Sequence, residues 1–174
     1  MTVANLRAQK NYPGLLAAAR IVTDRGLPVR FAAAGQGQLE AEVHAEHARL
    51  DLGDRFELLG YRTDTTRLIA SADLYVLASH HEGLPVTVME ALALGVPVVA
   101  PAVGGLPEVV DERSGILVSP DDPAALADAI ERVATDPALR ARLSEGARAS
   151  GNRFSSRHAV AELEATYREL AARR

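Results

Sequence analysis

The stretch Leu74-Tyr75-Val76-Leu77-Ala78-Ser79-His80-His81-Glu82-Gly83-Leu84-Pro85-Val86-Thr87-Val88-Met89-Glu90-Ala91-Leu92-Ala93-Leu94-Gly95-Val96-Pro97-Val98-Val99-Ala100-Pro101 reads as strand, loop, helix and strand. Leu74 to Leu77 and Val96 to Pro101 are short apolar runs, the pattern of strands buried on both faces. Between them Gly83 and Pro85 mark a loop that turns into a helix, because proline fits a first helical position where its missing N–H costs nothing. The same alternation extends outward in both directions. Thr2 to Leu6, Val29 to Ala34, Arg55 to Leu59 and Gly115 to Val118 read as strands, while Pro13 to Arg25, Leu39 to Leu50, Thr65 to Ser71, Pro85 to Leu94 and Leu106 to Asp111 carry helical spacing. Strand and helix in strict alternation predict an α/β fold: a Rossmann-like, doubly wound parallel sheet of about six strands with right-handed crossovers. The tail turns wholly helical over Pro123 to Thr135, Pro137 to Ser150 and Ser155 to Ala172, with Asp122-Pro123 and Asp136-Pro137 as cap-and-first-turn pairs. With no internal repeat or linker, residues 1–174 are expected to form one domain.

In open parallel sheets ligands bind outside the carboxyl ends of the strands, where the strand order reverses. Lys10, Gly35-Gln36-Gly37, Tyr61-Arg62 and Glu82 each follow a strand and so converge on one crevice. Glu82 precedes the helix and Glu90 lies about a turn and a half inside it. Because helical side chains lean toward the N-terminus, Glu90 points toward the same open end, where free N–H groups and the positive pole of the dipole lie. The amides of Val86 and Thr87 are the expected anion donors; Pro85 has none to offer. Carboxylates are poor phosphate ligands and good acceptors for sugar hydroxyls. The pattern therefore calls for a ligand that is part anion and part polyol, which a nucleoside diphosphate sugar satisfies.

Composition narrows the alternatives. A 48% hydrophobic, 24% charged chain of 174 residues is ordinary for a globular protein and large enough to bury its own core. A net charge of −4 argues against general nucleic-acid binding, so phosphate recognition has to be local. The absence of cysteine excludes disulfides and thiolate metal sites. Thr2-Val3-Ala4-Asn5-Leu6 reads as a strand and not as a signal peptide, and Ala91 to Val103, broken by Gly95, Pro97 and Pro101, is too short for a transmembrane segment. A cytoplasmic protein is the default expectation. His44 and His47 lie three apart on a polar helix without a third ligand, and the side chains of His80 and His81 diverge, so the histidines read as solvated or capping groups and no metal site is expected. Lys10 is the only lysine beside 18 arginines, which fits a compact ammonium acting as a point charge toward phosphate.

Ser79, Glu82-Gly83-Leu84-Pro85, Glu90 through Val99, Gly104-Gly105-Leu106-Pro107-Glu108-Val109-Val110 and Ser114 through Val118, with weaker matches at Lys10-Asn11, Gly35-Gln36-Gly37 and Leu58-Leu59-Gly60-Tyr61, occur in one order and spacing. Over Thr2 to about Ile130 this set resembles the donor-binding half of the two-domain, double-Rossmann (GT-B) retaining glycosyltransferases with a Glu-x7-Glu motif, family 4, group 1. The resemblance implies a nucleotide-sugar donor, transfer of a hexosyl group with retention, no cofactor, no metal, and an N-terminal acceptor domain in the same or a separate chain. By resemblance Glu82 faces the donor sugar as the catalytic carboxylate, and Glu90 accepts from the ribose hydroxyls. Lys10 holds the diphosphate, Tyr61 and Arg62 line the base pocket, and Gly83, Leu84, Val86 and Thr87 line the donor site. The family places an arginine five residues before the lysine; this chain has Asn5 there, and Arg7 is the nearest replacement. Two rival readings share the fold: a sugar-nucleotide 2-epimerase-like enzyme, and a non-catalytic interaction module docking through the helical tail with Arg153, Arg157, Arg168, Arg173 and Arg174.

Overall fold

The structure is a computed structural model that describes residues 1–154 and 156–172. In chain order the elements are β1 (Thr2–Val3), α1 (Tyr12–Asp24), β2 (Phe31–Ala34), α2 (Glu40–Arg49), β3 (Phe56–Gly60), α3 (Thr65–Ala70), β4 (Tyr75–Val76), α4 (Val86–Ala93), β5 (Val98–Pro101), α5 (Leu106–Val109), β6 (Gly115–Val118), α6 (Pro123–Thr135), α7 (Pro137–Gly151) and α8 (Ser156–Ala172). One-turn 3-10 helices occupy Ala8–Lys10, Gly53–Arg55 and Asn152–Phe154. Ser155, Arg173, Arg174 and the side chain of Arg157 lie outside the described residues.

The strands pair in parallel as β1-β2-β3 and β4-β5-β6. The two ladders meet at β1 and β4. There the Val76 N–H donates to the Met1 carbonyl at 2.9 Å, the Met1 amino group to the Leu74 carbonyl at 2.8 Å, and the Thr2 hydroxyl to the Val76 carbonyl at 2.7 Å. The spatial order across that seam is therefore β3-β2-β1-β4-β5-β6. The chain moves outward from β1 to β3 and then returns to start again at β4, so strand order reverses at the seam.

Apolar side chains alternate between the two faces with period two, as a pleated strand requires. Val76 and Val99 join one buried cluster with Leu15, Leu16 and Val22 of α1 and Leu126, Ile130 and Val133 of α6. Tyr75, Leu77, Val98 and Ala100 join the other, with Ile69 of α3, Val88 and Leu92 of α4 and Leu106 of α5. Asp122 and Asp136 cap α6 and α7 as their Asp-Pro pairs predict, accepting from the amides of Ala125 and Leu139 at 2.9 Å each.

Three local expectations are corrected. β1, expected to run from Thr2 to Leu6, ends at Val3, and the chain then bends into the Ala8–Lys10 turn, so Asn5 lies beyond the strand. Pro85 is the N-cap in extended conformation (φ −71°, ψ 112°) and not the first helical residue; its carbonyl accepts from Val88 and Met89 at 3.0 and 3.3 Å. His47, expected to be solvated or a cap, is half-buried, with Nε2 2.6 Å from the Phe56 carbonyl and its ring edge-on to the Phe56 ring. Helix α8 carries Val160, Leu163, Tyr167 and Leu170, all exposed, along one stripe.

Candidate functional site

At the reversal point the segment after β1 is tied to the loop after β4 by three bonds. The Gln9 carbonyl accepts from the His80 N–H at 2.9 Å, the Gln9 amide donates to the His81 carbonyl at 2.8 Å, and Lys10 Nζ donates to Glu82 Oε1 at 2.6 Å. All three link residues about seventy positions apart. A single turn of 3-10 helix thus fixes the whole approach to α4.

Glu82 is buried, with 4% of its side chain accessible, and Lys10 retains 20%. The Ser79 hydroxyl, itself fully buried, donates to the same Oε1 at 2.6 Å. The second carboxylate oxygen has no bonded partner among the described residues, and it is not sealed from solvent, since no buried side-chain oxygen is left without a partner. A carboxylate with one oxygen anchored by a hydroxyl and an ammonium, and the other free, can still accept hydrogen bonds from a polyol.

The loop Gly104-Gly105 supports Glu82 from behind. Gly104 lies at φ +53°, and a Cβ there would meet the Glu82 carbonyl oxygen at 1.6 Å; at Gly105 it would meet the Gly83 carbonyl oxygen at 2.5 Å. Gly105 N–H donates to that Gly83 carbonyl at 3.0 Å. Close backbone approach is the reason for glycine at both positions. Gly35 and Gly37 do the same on the other side of the seam, where a Cβ would meet the carbonyl oxygens of Ala4 and Leu6 at 1.9 and 2.4 Å.

Beside this cluster opens a groove of about 280 Å³ lined by Asn5, Lys10, Tyr61, Arg62, Val86 and Thr87, and by Gly35 and Gln36. The amides of Val86 and Thr87 precede the first helical hydrogen bond of α4, donated by Val88, and have no partner among the described residues. Thr87 is held by Tyr75, whose buried hydroxyl donates to the Val3 carbonyl at 2.9 Å and shares a 2.8 Å hydrogen bond with the Thr87 hydroxyl. Burial pushes the Tyr75 phenol well above its usual range. Arg62 is chelated by Asp64, with Nε and Nη2 at 2.9 and 2.8 Å. That bidentate contact raises the guanidinium and lowers the Asp64 carboxyl.

Glu90 is half-buried on the α4 face shared with Val86 and Thr87, and among the described residues its carboxylate makes no hydrogen bond or ion pair. Gly83 and Leu84 are exposed and lie outside the groove lining, with Leu84 55% exposed. Arg7 is exposed and also outside it. The structure therefore brings together Asn5, Lys10, Tyr61, Arg62, Val86 and Thr87. It places Glu82 directly behind Lys10, and Glu90 one turn along the helix. Sequence reading missed three supports: the Ser79 and Tyr75 hydroxyls and Asp64. Only Ser79 carried a sequence signal, as part of the motif.

Residues 1–150 match the family described as glycosyl transferases group 1. Among curated relatives, a D-inositol 3-phosphate glycosyltransferase of Saccharomonospora viridis is 44% identical over 63% of this chain and 26% of its own length. An alpha-D-kanosaminyltransferase of Streptomyces kanamyceticus is 30% identical over 97% of this chain and 45% of its own. The chain thus spans between about a quarter and under half of the length of these relatives. Among solved structures, Anabaena HepE in complex with UDP superposes with a TM-score of 0.85 at 26% identity, over 97% of this chain and 48% of that one. Sucrose-phosphate synthase from Thermosynechococcus elongatus gives a TM-score of 0.84 at 28% identity over 99% and 46%. The chain belongs to the glycosyl transferases group 1 family, and its α/β architecture is the Rossmann-like half shared with these GT-B-type neighbours.

Proposed function

We propose that this chain is the donor half of a retaining glycosyltransferase: it binds a nucleoside diphosphate sugar at the β1–β4 seam, and a second, N-terminal domain, in the same or a separate chain, presents the acceptor of the hexosyl group. The observation that carries the reading is the groove at the reversal of strand order where Lys10 meets the free amides of Val86 and Thr87, with the Glu90 carboxylate, unpartnered among the described residues, one turn further along the same face of α4. An ammonium and a helix N-terminus match a diphosphate, and a partnerless carboxylate matches vicinal hydroxyls. The UDP bound by HepE makes uridine nucleotides the first to test.

In this reading the diphosphate lies across the start of α4, the ribose reaches Glu90, and the base lies toward Tyr61 and Arg62. The sugar meets Glu82 Oε2. As the bond between the anomeric carbon and the phosphate breaks, positive charge builds on the sugar, and a carboxylate fixed nearby stabilises it without having to reorganise. The amides and Lys10 stabilise the leaving diphosphate. These groups are all supplied by the chain, and neither a metal nor a cofactor is needed for those roles. A half-cleft cannot exclude water from the reacting bond, so the chain by itself binds donor and does not transfer it.

Calorimetric titration of UDP, GDP and ADP sugars into the chain and into Glu90→Ala tests the reading. One of the three nucleotides binds, and Glu90→Ala weakens it by about tenfold or more through loss of charge-assisted bonds. Equal heats in both proteins, or none in either, defeat the ribose assignment.

A further inference from the structure

Both cations that line the groove are already paired with carboxylates of the chain. Lys10 Nζ lies 2.6 Å from Glu82 Oε1, and Arg62 is chelated by Asp64. The two pairs differ in setting. Arg62 and Asp64 are solvent-exposed at 42% and 36%, whereas Glu82 is buried at 4% beside Lys10 at 20%. Water screens the first pair and leaves the second nearly unscreened. The chain's only lysine thus has its charge offset within the site before any ligand arrives.

We propose that Glu82 is a specificity-determining residue that makes the empty site discriminate against a bare nucleoside diphosphate in favour of a nucleoside diphosphate carrying a sugar; this rests on the donor-site reading above. A bare diphosphate approaching Lys10 has to share an ammonium that Glu82 already holds, and it brings its negative charge near a buried carboxylate. It offers that carboxylate nothing in return. A ligand with a sugar attached supplies hydroxyl donors to the free Oε2, so the repulsion is offset by new charge-assisted hydrogen bonds. Discrimination by an unfavourable term against the wrong ligand is the ordinary route to specificity when both ligands share their strongest contact. Here the shared contact is the diphosphate and the unfavourable term is Glu82. The wrong ligand is also the product that must leave after transfer, so the same carboxylate favours its release.

Ser79 makes the device directional. Its buried hydroxyl anchors Oε1 at 2.6 Å, on the same oxygen that Lys10 uses, leaving Oε2 free. Gly104 and Gly105 lie so close against the backbone of Glu82 and Gly83 that the loop has no room to shift toward them.

The test is a pair of calorimetric titrations, UDP and a UDP-hexose, into the chain, Glu82→Gln, Asp64→Asn and Lys10→Ala, with each fold checked by circular dichroism. If the wild-type chain binds another nucleotide, that diphosphate and its sugar replace them. Glu82→Gln keeps the shape and an acceptor for Ser79 while removing the charge. It tightens the bare diphosphate by about tenfold and the sugar nucleotide by much less, or weakens it, so the ratio of the two affinities shifts toward the bare diphosphate. Asp64→Asn, in the screened pair, leaves the ratio unchanged, and Lys10→Ala weakens both ligands. If Glu82→Gln binds the bare diphosphate no more tightly than wild type while wild type binds measurably, the proposal is overturned and the donor site stands. If neither protein binds any nucleotide, the donor-site reading fails first and takes the proposal with it. A misfolded Glu82→Gln is replaced by Ser79→Ala, which frees Oε1 to rotate and lowers the same ratio of discrimination; an unchanged ratio there overturns the proposal.

Discussion

Replacing Gly104 by alanine separates two costs that are usually mixed. Gly104 sits at φ +53°, where a side chain costs about 1–2 kcal/mol. Its Cβ would also lie 1.6 Å from the Glu82 carbonyl oxygen, which would have to retreat to at least 3.0 Å. Overpacking of that kind adds about 1–3 kcal/mol. Gly26 is the internal control: at φ +70° it carries the conformational cost with nothing within 4 Å of its Cβ. Gly104→Ala is therefore expected to lose about 2–5 kcal/mol and Gly26→Ala about 1–2 kcal/mol, a Tm difference of several degrees in a domain of this size. Urea denaturation measures the first number and calorimetric titration of the donor measures its consequence. The retreat of the Glu82 carbonyl displaces a side chain tied at 2.6 Å to both Ser79 and Lys10, so donor affinity falls in Gly104→Ala and holds in Gly26→Ala. Equal stability losses in the two variants, or an undiminished affinity in Gly104→Ala, would refute the view that this glycine is there to seat the Glu82 loop.

Tyr75→Phe removes a buried hydroxyl that bonds the Val3 carbonyl and Thr87, and is expected to cost about 1–3 kcal/mol in urea denaturation while leaving the apolar packing in place. Tyr12 and Tyr75 both have phenols raised by burial, so above about pH 10 the unfolded chain releases protons that the folded one keeps. Their contribution is intact below the unfolded value and is lost as pH climbs toward the folded one; the urea midpoint should fall on the alkaline side, and less steeply in Tyr75→Phe. Truncation after Phe154 removes α8, whose large apolar side chains are exposed at 55–65%, and should leave the urea midpoint nearly unchanged; a large drop would show that the helix packs on the body. Asp122→Ala and Asp136→Ala each remove a side-chain cap and are expected to cost about 1 kcal/mol, read as the shift in thermal midpoint.

The sequence alone determined the alternation of elements, because strand and helix signatures are local. Apolar runs such as Val98–Pro101, the Asp-Pro caps of α6 and α7, and the Gly-Leu-Pro entry into α4 act within a few residues of themselves. It also placed Lys10, Tyr61-Arg62 and Glu82 after their strands, and so at one end of the sheet. Tertiary structure alone decided that β1 lies beside β4, and everything that follows from that contact. Lys10 meets Glu82 across 72 positions, and Tyr75 reaches both Val3 and Thr87. Gly104 and Gly35 close on carbonyls of distant loops, and His47 settles on Phe56 instead of in solvent. No spacing in the chain encodes these meetings. They arise when two half-sheets join their edges and bury their apolar faces, and polar groups carried in by that burial must find partners wherever the packing has put them.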